Sequence, residues 1–201
     1  MKKKIGIFGG SFDPVHFGHL NLAVNLMEKA GLQEVLFILT SLSPFKESAR
    51  PVASAAHRLS MLKLVAAHLE NCNIIEWEMQ KEGPAYTIDT VRRLKQDPAL
   101  ELHLLIGDDH LPSLHKWKDF EDLIRLAPPL IGTRNLSGPL SISHLPADLQ
   151  KKCEEGRVQI PQFDISSTDI RARLSQKKYC GHLVPSSVLE YIEKNKLYNG
   201  K

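Results

Sequence analysis

The 201-residue sequence is poor in cysteine: Cys72, Cys153 and Cys180 are its only three, and no two of them are spaced as CxxC. An odd count without that spacing excludes a disulfide framework and a zinc knuckle, and it predicts reduced thiols in a cytosol. The chain also lacks any run of about 18 apolar residues, the length that spans a bilayer. Only Ile5–Phe8 separates the N-terminal lysines from two glycines, too short for the core of a signal peptide. We therefore expect a cytoplasmic protein without a membrane partner.

A large excess of one charge is absent too, since 26 Lys and Arg against 23 Asp and Glu leave a net charge of +3. That balance argues against a protein that coats nucleic acid, yet it suits a small anionic substrate. The GxxxxGK[ST] motif of P-loop NTPases and the GxGxxG motif of dinucleotide-binding dehydrogenases are both missing. With 42% hydrophobic and 24% charged residues the chain is not predicted to be disordered. Its length favours a single domain over residues 1–201 that buries about 70% of its unfolded surface.

Short apolar runs alternate with segments of helical periodicity. The runs predict strands at Lys4–Phe8, Val35–Leu39, Asn73–Met79, Leu102–Ile106, Leu130–Thr133 and Val158–Ile160. The periodic segments predict helices at Leu20–Ala30, Ser54–Leu69, Thr87–Lys95, Phe120–Leu126, Thr168–Leu174 and Ser187–Lys194. This order indicates an α/β fold, a Rossmann-like, doubly wound parallel sheet with helices on both faces and a small C-terminal helical portion. Such sheets bind ligands beyond the carboxyl ends of their strands, near a topological switch point. Residues Asn135–Pro146 are expected to form a loop.

The strongest functional signal is the sequence GGSFDPVHFGHL, which begins at Gly9 and joins the first strand to the first helix. Gly9 and Gly10 let backbone amides approach a ligand, and a helix N-terminus adds unsatisfied N–H groups and a positive dipole end. His16 and His19, three residues apart across Gly18, would face the same side of a helical first turn. The combination favours binding of a developing phosphate charge. A surface turn with incidental histidines and a histidine pair that binds a metal are the alternatives.

A second, hydroxyl-rich segment, ISSTDIR, begins at Ile165. Ser166, Ser167 and Thr168 provide an N-cap for a helix, and Arg171 follows one turn later. Exposed N–H groups, hydroxyls and a guanidinium together make a cradle for phosphate. Taken alone, the segment would more often be an ordinary capped helix.

The two segments resemble the GxFDPxHxGH and ISSTxIR motifs of the nucleotidyltransferase superfamily. The similarity to bacterial nicotinate-nucleotide adenylyltransferases runs from residue 4 to residue 198. It includes AYTIDT from Ala85, IGDD from Ile106, Trp117, Thr133-Arg134 and the tail from Val184 to Tyr198. Pantetheine-phosphate adenylyltransferases share the first motif but are usually shorter. The resemblance implies an enzyme that transfers the adenylyl group of ATP to nicotinate mononucleotide, giving deamido-NAD and pyrophosphate.

By that resemblance the catalytic residues are His16, His19, Lys46 and Arg171. The further residues that bind ATP would be Gly9, Gly10, Ser11, Phe12, Asp109, Ser166, Ser167 and Thr168. The phosphate of the mononucleotide is already an anion, so it would attack the α-phosphorus in line without a strong general base. Mg²⁺ would bridge the phosphates of ATP and be held mostly by them and by water, so we expect no metal site built from side chains.

The acceptor mononucleotide would bind at Lys46, Tyr86, Thr87, Asp109, Trp117 and Arg134. Trp117 would stack on the pyridine ring, while Thr87 and backbone amides near Tyr86 and Lys118 would bind the carboxylate. Asp109 would contact ribose hydroxyls, and Arg134 a phosphate or another part of the nucleotide. Trp117 alone would more often be a core residue, and Asp109 alone a solvated turn carboxylate.

Two positions depart from the family pattern. Phe45 stands where a histidine is usual, so the phosphate contact of that histidine is lost or has moved, and Lys118 stands where an aromatic residue is common. The alternatives are the same chemistry on nicotinamide mononucleotide or phosphopantetheine, a module that binds nucleotide or nucleic acid without catalysis, and a metal hydrolase. Thr87 and Trp117 argue against phosphopantetheine. Nucleic acid is not an expected partner, and either a monomer or a homo-oligomer is compatible with the sequence.

Overall fold

The computed structural model describes residues 1–40, 51–77, 86–161 and 163–199. Within them, six segments form strands: β1 Lys3–Gly10, β2 Glu34–Leu39, β3 Cys72–Ile75, β4 Leu100–Gly107, β5 Pro129–Thr133 and β6 Arg157–Gln159. The α-helices are α1 Phe17–Ala30, α2 Ala55–Ala66, α3 Thr87–Leu94, α4 Phe120–Leu126, α5 Ala147–Glu155, α6 Ser167–Ser175 and α7 Ser186–Lys194. A 3₁₀ helix, Asp108–Lys116, follows β4 directly. Among these residues, no helix has the length and apolar content to cross a membrane.

All the strand pairs are parallel, and their order in the sheet is β3-β2-β1-β4-β5-β6. The chain moves outward from β1 to β3, returns to place β4 on the other side of β1, and then moves outward again. This reversal puts the topological switch point between β1 and β4, where ligands bind in sheets of this kind. Gly9 and Gly10 end β1 beside Ile38 and Leu39 of β2, so the carboxyl ends of the central strands lie side by side. The predicted Rossmann-like parallel sheet is confirmed.

Two buried hydrophobic clusters cover the two faces of the sheet. In β1, Ile5 and Ile7 belong to one cluster and Phe8 to the other, because successive side chains of a strand point to opposite faces. The Phe8 cluster receives α1, α2, α6 and α7, and the Ile7 cluster receives α3, α4 and α5. Each fully buried large aliphatic or aromatic side chain contributes about 1.5–3 kcal/mol. The expected helices on both faces and the C-terminal helical portion are both present.

Most of the predicted elements are confirmed within a few residues, and two were missed. Helix α1 begins at Phe17 rather than Leu20, because His16 caps it. Helix α5 and the 3₁₀ helix were not predicted, while residues 135–146 form the expected irregular loop. The three cysteines are buried and free.

Candidate active site

His16 and His19 cap the first helix for each other. The Nδ1 atom of His16 accepts a hydrogen bond from the backbone N–H of His19 at 3.4 Å, and Nδ1 of His19 accepts from the N–H of His16 at 3.2 Å. The two rings are stacked, with centroids 3.7 Å apart. A Cβ atom on Gly18 would lie 3.0 Å from the His16 ring, so glycine keeps the space that this ring occupies. The prediction that both imidazoles face one side is confirmed.

This reciprocal cap determines which nitrogen of each ring carries the proton. Each Nδ1 accepts from a backbone N–H and is therefore unprotonated, which assigns the proton of both neutral rings to Nε2. Burial lowers the pKa of His16 to about 4. Burial, and then repulsion from His16 and His110, hold the pKa of His19 well below its usual value. At neutral pH the pair therefore presents two uncharged Nε2–H donors at the carboxyl end of β1.

The glycine-rich loop before the histidines is anchored by Phe12. Its backbone has a positive φ of 46°, and its fully buried ring packs edge-on against Phe8, Phe37 and His19. A Cβ atom on Gly10 would come within 2.8 Å of that ring, so the close packing requires glycine there. Because the Phe12 side chain belongs to the core, only its backbone is available to a ligand.

Asp13 connects this loop to two other parts of the chain, a role that sequence analysis did not find. Its buried carboxylate accepts hydrogen bonds from the backbone N–H groups of Val52 and Ala53 at 2.8 and 3.1 Å. It also accepts one from the hydroxyl of Tyr198 at 2.8 Å. The loop after β1, the segment before α2 and the C-terminal end are thus joined at one carboxylate. The only sequence signal was an aspartate placed inside the motif itself.

Arg58, which is 1% exposed, fixes the backbone at the same edge of the sheet. Its NH1 group donates to the carbonyl oxygens of Ser11 at 2.6 Å and Thr40 at 2.9 Å, and its Nε donates to that of Ala53 at 3.3 Å. Burial lowers the pKa of the guanidinium, and the nearby Asp13 carboxylate opposes that shift. One buried cation therefore holds the ends of β1 and β2 in their relative positions. Sequence analysis assigned no role to it.

The serines of the second motif begin α6 and contact the first motif. Ser166 is the N-cap, and its Oγ accepts from the N–H of Asp169 at 3.1 Å. The hydroxyl of Ser167 donates to the carbonyl oxygen of Pro14 at 3.0 Å. The predicted capped helix is confirmed, and the two motifs lie in direct contact although more than 140 residues separate them in sequence.

Arg171 strengthens the contact between the two motifs. Its NH1 group donates to the carbonyl oxygen of Asp13 at 2.8 Å, and its NH2 group donates to the hydroxyl of Thr168 at 3.3 Å. The side chain is 26% exposed, so part of the guanidinium surface is open to a ligand. A structural role of Arg171 in holding the loop is therefore visible beside the phosphate-binding role expected from the sequence.

The residues expected to bind a pyridine carboxylate lie on two neighbouring segments. Thr87 is the first residue of α3 and is 8% exposed. If Gly9 carried a Cβ atom, that atom would lie 3.2 Å from Oγ1 of Thr87, so the Thr87 hydroxyl lies against the end of β1. Trp117 ends the 3₁₀ helix and is half-buried against the core. The Nζ atom of Lys118 lies 4.3 Å from the ring centre of Tyr86, so the α3 start and the Trp117 segment meet.

Asp109 lies just beyond the carboxyl end of β4 and is solvent-exposed. Its carboxylate pairs with Nδ1 of His110 at 3.0 Å, and this hydrogen bond lowers the pKa of Asp109. A Cβ atom on Gly107 would collide with the Asp109 carboxylate, so the glycine allows the side chain to fold back over the strand end. Asp109 and Arg134 both line a cavity of about 340 Å³ at the carboxyl ends of β4 and β5.

Lys46 and Phe45 lie outside the described residues, so their expected roles stay predictions. Two histidines outside the motifs have partners away from the site: His57 bonds the hydroxyl of Tyr191, and His103 bonds Glu101. Over the described part of the chain, no group of three or more His, Cys, Asp or Glu could hold a metal ion. The described site therefore offers hydrogen-bond donors, a hydroxyl-rich helix start and an aromatic face rather than a metal cage.

A doubly wound parallel sheet whose first strand ends at a capped histidine pair, in contact with a serine-capped helix, defines a nucleotidyltransferase. The cytidylyltransferase-like family model matches residues 7–173. A probable nicotinate-nucleotide adenylyltransferase of Methylacidiphilum infernorum is 37% identical over 97% of this chain and 92% of its own length. One of Bacillus mycoides is 38% identical over 98% of both chains. This chain belongs to the cytidylyltransferase-like family and, within it, to the family of these nicotinate-nucleotide adenylyltransferases.

Solved structures have the same fold. The nicotinic acid mononucleotide adenylyltransferase of Plasmodium falciparum, complexed with NaAD, superimposes with a TM-score of 0.74 over 99% of this chain and 98% of its own, at 20% identity. A putative nicotinate-nucleotide adenylyltransferase of Vibrio parahaemolyticus gives a TM-score of 0.68 over 100% and 98% of the two chains, at 18% identity. At these identities the likeness concerns the fold.

Proposed function

We propose that this protein transfers the adenylyl group of ATP to nicotinate mononucleotide, forming deamido-NAD and pyrophosphate. The observation that carries the proposal is the stacked pair His16 and His19, whose two neutral Nε2–H donors stand at the switch point of the sheet. The names of the relatives support the choice of acceptor, as does the Plasmodium structure described as a complex with NaAD. The Plasmodium enzyme has also been solved as a complex with APC.

In the proposed reaction, an oxygen of the mononucleotide phosphate forms a bond to the α-phosphorus of ATP as the bond to the pyrophosphate oxygen breaks. His16 and His19 donate hydrogen bonds to phosphate oxygens, which gain charge as the reaction proceeds. Because both rings are neutral donors, they stabilise this charge without giving up a proton. Backbone amides of Gly9, Ser11 and Phe12 add further donors.

Positive charge in the proposed mechanism comes from Arg171 and Lys46. The guanidinium of Arg171 lies between the two motifs, and Lys46 is expected to meet a phosphate. ATP binds along Ser166, Ser167 and Thr168 at the start of α6, where helix N–H groups favour anions. Mg²⁺ bound to ATP would neutralise charge on its phosphates.

In the proposed complex the nucleoside parts of the substrates lie on either side of the histidine pair. The cavity between Asp109 and Arg134 has the volume of a nucleoside. Asp109 was expected to bind either nucleotide and Arg134 the acceptor, but we assign ATP's adenosine to the cavity that both residues line. Trp117 stacks on the pyridine ring of the acceptor. Thr87 and the N-terminal amides of α3 bind the pyridine carboxylate, where the helix dipole favours an anion.

The proposed setting is the cytoplasm, without nucleic acid or membrane, as a monomer or homo-oligomer. The three free and buried thiols agree with a reducing compartment.

The test is pyrophosphate release from ATP and Mg²⁺ with nicotinate mononucleotide, its amide or phosphopantetheine as the acceptor. Release that is fastest with the acid supports both the chemistry and the carboxylate pocket. Faster release with another acceptor would keep the chemistry and overturn the substrate. No release with any acceptor would overturn the proposal.

A further inference from the structure

The loop between β5 and α5 forms one wall of the cavity beside Asp109. Residues 135–141 contain no regular secondary structure, and Asn135, Gly138 and Ser141 line the cavity from this side. A Cβ atom on Gly138 would meet nothing within 4 Å, so side-chain packing does not hold the loop at that point. Leu140 packs against the core at the far end of the loop, so residues 135–138 depend on polar contacts for their position.

Arg157, the first residue of the edge strand β6, provides two of these contacts. Its NH2 group donates to the carbonyl oxygens of Asn135 at 2.7 Å and Gly138 at 2.8 Å, and its NH1 group donates to Glu154 at 3.0 Å. Its side chain is only 10% exposed although β6 lies at the sheet edge. One rigid guanidinium thus joins the two halves of the loop to α5 and to the sheet.

One nitrogen of the guanidinium is buried without a partner in the described part of the chain. Its Nε atom is buried and has no hydrogen-bond acceptor among the described residues, and Arg157 itself lines the cavity. Leaving a buried donor unpaired lowers stability, so a purely structural role does not account for this arrangement. An unpaired buried polar group in a native structure needs an explanation, and here the group belongs to a residue that lines a cavity.

The same strand also holds the backbone of Arg134. The side-chain amide of Gln159 donates to the carbonyl oxygen of Arg134 at 3.3 Å, and the hydroxyl of Thr133 bonds the backbone of Asn135. The cavity wall from residue 134 to residue 138 is therefore fixed from both β5 and β6, and Arg157 contributes the contacts at 2.7 and 2.8 Å. If these contacts are lost, the wall can move while β4 and the histidine pair remain in place.

We infer that Arg157 is a positioning residue for the nucleoside triphosphate: by fixing the loop of residues 135–141 it shapes the cavity that receives the base. This inference rests on the proposed function, which assigns the adenosine of ATP to this cavity. It predicts that Arg157 governs the affinity for ATP and the choice between purine bases, and leaves the acceptor and the chemical step nearly untouched. A lysine at this position keeps the charge but lacks the planar fork that spans Glu154 and the two carbonyl oxygens.

The experiment compares Arg157→Ala and Arg157→Lys with the wild-type protein and with a matched control, Arg125→Ala. Arg125, like Arg157, makes more than one polar contact: it pairs with the carboxylates of Glu121 and Asp148, but it lies on α4 outside the cavity lining. Equilibrium binding of ATP and of GTP is measured by titration calorimetry. The kcat and the KM of each substrate are then measured with the other at saturation, and thermal unfolding is recorded for every variant.

We expect Arg157→Ala to weaken ATP binding and raise its KM about tenfold, the effect of losing roughly one charged hydrogen bond. The preference of Arg157→Ala for ATP over GTP falls, while its kcat and its KM for the mononucleotide stay within about twofold of the wild-type values. The ATP affinity of Arg157→Lys lies between those of Arg157→Ala and the wild type. Unchanged ATP affinity in Arg157→Ala overturns the inference. A lower kcat together with higher KM values for both substrates also overturns it, because that pattern would indicate general destabilisation. If the wild-type protein binds ATP but transfers no adenylyl group, the proposed function is overturned, and the ATP titrations of the variants still test the role of Arg157. If the wild type binds no ATP, both fail.

Discussion

The hydroxyl of Tyr198 donates a 2.8 Å hydrogen bond to Oδ1 of Asp13, which joins the end of the chain to the loop that follows the first strand. Both side chains are buried. Burial and the neighbouring carboxylate raise the pKa of the Tyr198 phenol, so it keeps its proton and its donor role. The histidine pair therefore sits on a loop whose geometry depends on a residue 185 positions away.

Tyr198→Phe tests this connection. We expect a loss of about 1.5–3 kcal/mol in the free energy of unfolding, because a hydrogen bond to a buried carboxylate disappears. Urea denaturation measures it, with Tyr179→Phe as the control, since Tyr179 is 72% exposed and should change stability by less than about 0.5 kcal/mol. Equal stability of the two variants would show that the Tyr198 hydrogen bond contributes nothing.

His19→Ala tests the donor role of the histidine pair. Removal of one well-placed donor to a developing oxyanion typically lowers kcat by about 10²–10³-fold, and we expect an effect of that size. The substitution also removes a cap and packing against Phe8 and Phe12, so circular dichroism must show that the variant folds. His68→Ala, at an exposed position, is the control and should keep full activity.

His19→Gln separates the cap from catalysis. A glutamine at the third helical position can still accept from the N–H of the capping residue, as in an ordinary capping box. We therefore expect it to recover most of the stability that His19→Ala loses, but to leave kcat well below the wild-type value. Near-normal turnover in either variant would contradict the catalytic assignment.

The sheet and the two motifs were predictable because their signals are local. Each strand is a short apolar run, and the serine-rich start of α6 is a common N-cap pattern. The start of α1 was placed three residues late because His16 is not among the usual capping residues, although its ring accepts the same backbone hydrogen bond. The 3₁₀ helix carries Pro112 and the closely spaced Leu111 and Leu114, a pattern that does not indicate an α-helix.

The supports of the site were not predictable because their partners are distant in sequence. Asp13 bonds residues 39, 40 and 185 positions away, and Arg58 reaches carbonyl oxygens 18 and 47 positions away. Because every residue has a backbone carbonyl, the residue types do not indicate which carbonyl oxygens accept a hydrogen bond from Arg58. Arg58 therefore looked like one more residue of an amphipathic helix, and only the fold reveals that it holds two strand ends.

Gly18→Ala tests how closely the fold fits the His16 ring. The added Cβ would lie 3.0 Å from two atoms of that ring, so the ring must move by a few tenths of an ångström. Alanine is up to about 1 kcal/mol better than glycine within a helix, which offsets part of the crowding. We expect nearly unchanged thermal stability together with a clear fall in kcat. A variant that loses stability but keeps its kcat would show that the ring position is not what the glycine protects.

The low pKa of His16 predicts that acid destabilises the protein through this residue. The unfolded chain takes up a proton at His16 near pH 6.5, whereas the folded protein takes it up only near pH 4. Below pH 6.5 the unfolded state therefore binds more protons, and stability falls as the pH decreases towards 4, by on the order of 3 kcal/mol from this residue. His19 adds to the fall in the same direction, since its pKa is lowered as well.

His16→Asn is the variant that measures this contribution. Asparagine is a good N-cap and does not titrate, so helix α1 keeps its cap while the acid sensitivity of position 16 is removed. Urea denaturation of both proteins between pH 8 and pH 4 should give a shallower fall for the variant, because the carboxylates titrate alike in both. Parallel curves would mean that His16 titrates normally in the folded protein. It would then be largely charged at pH 5, and its proposed role as a neutral donor would not hold there.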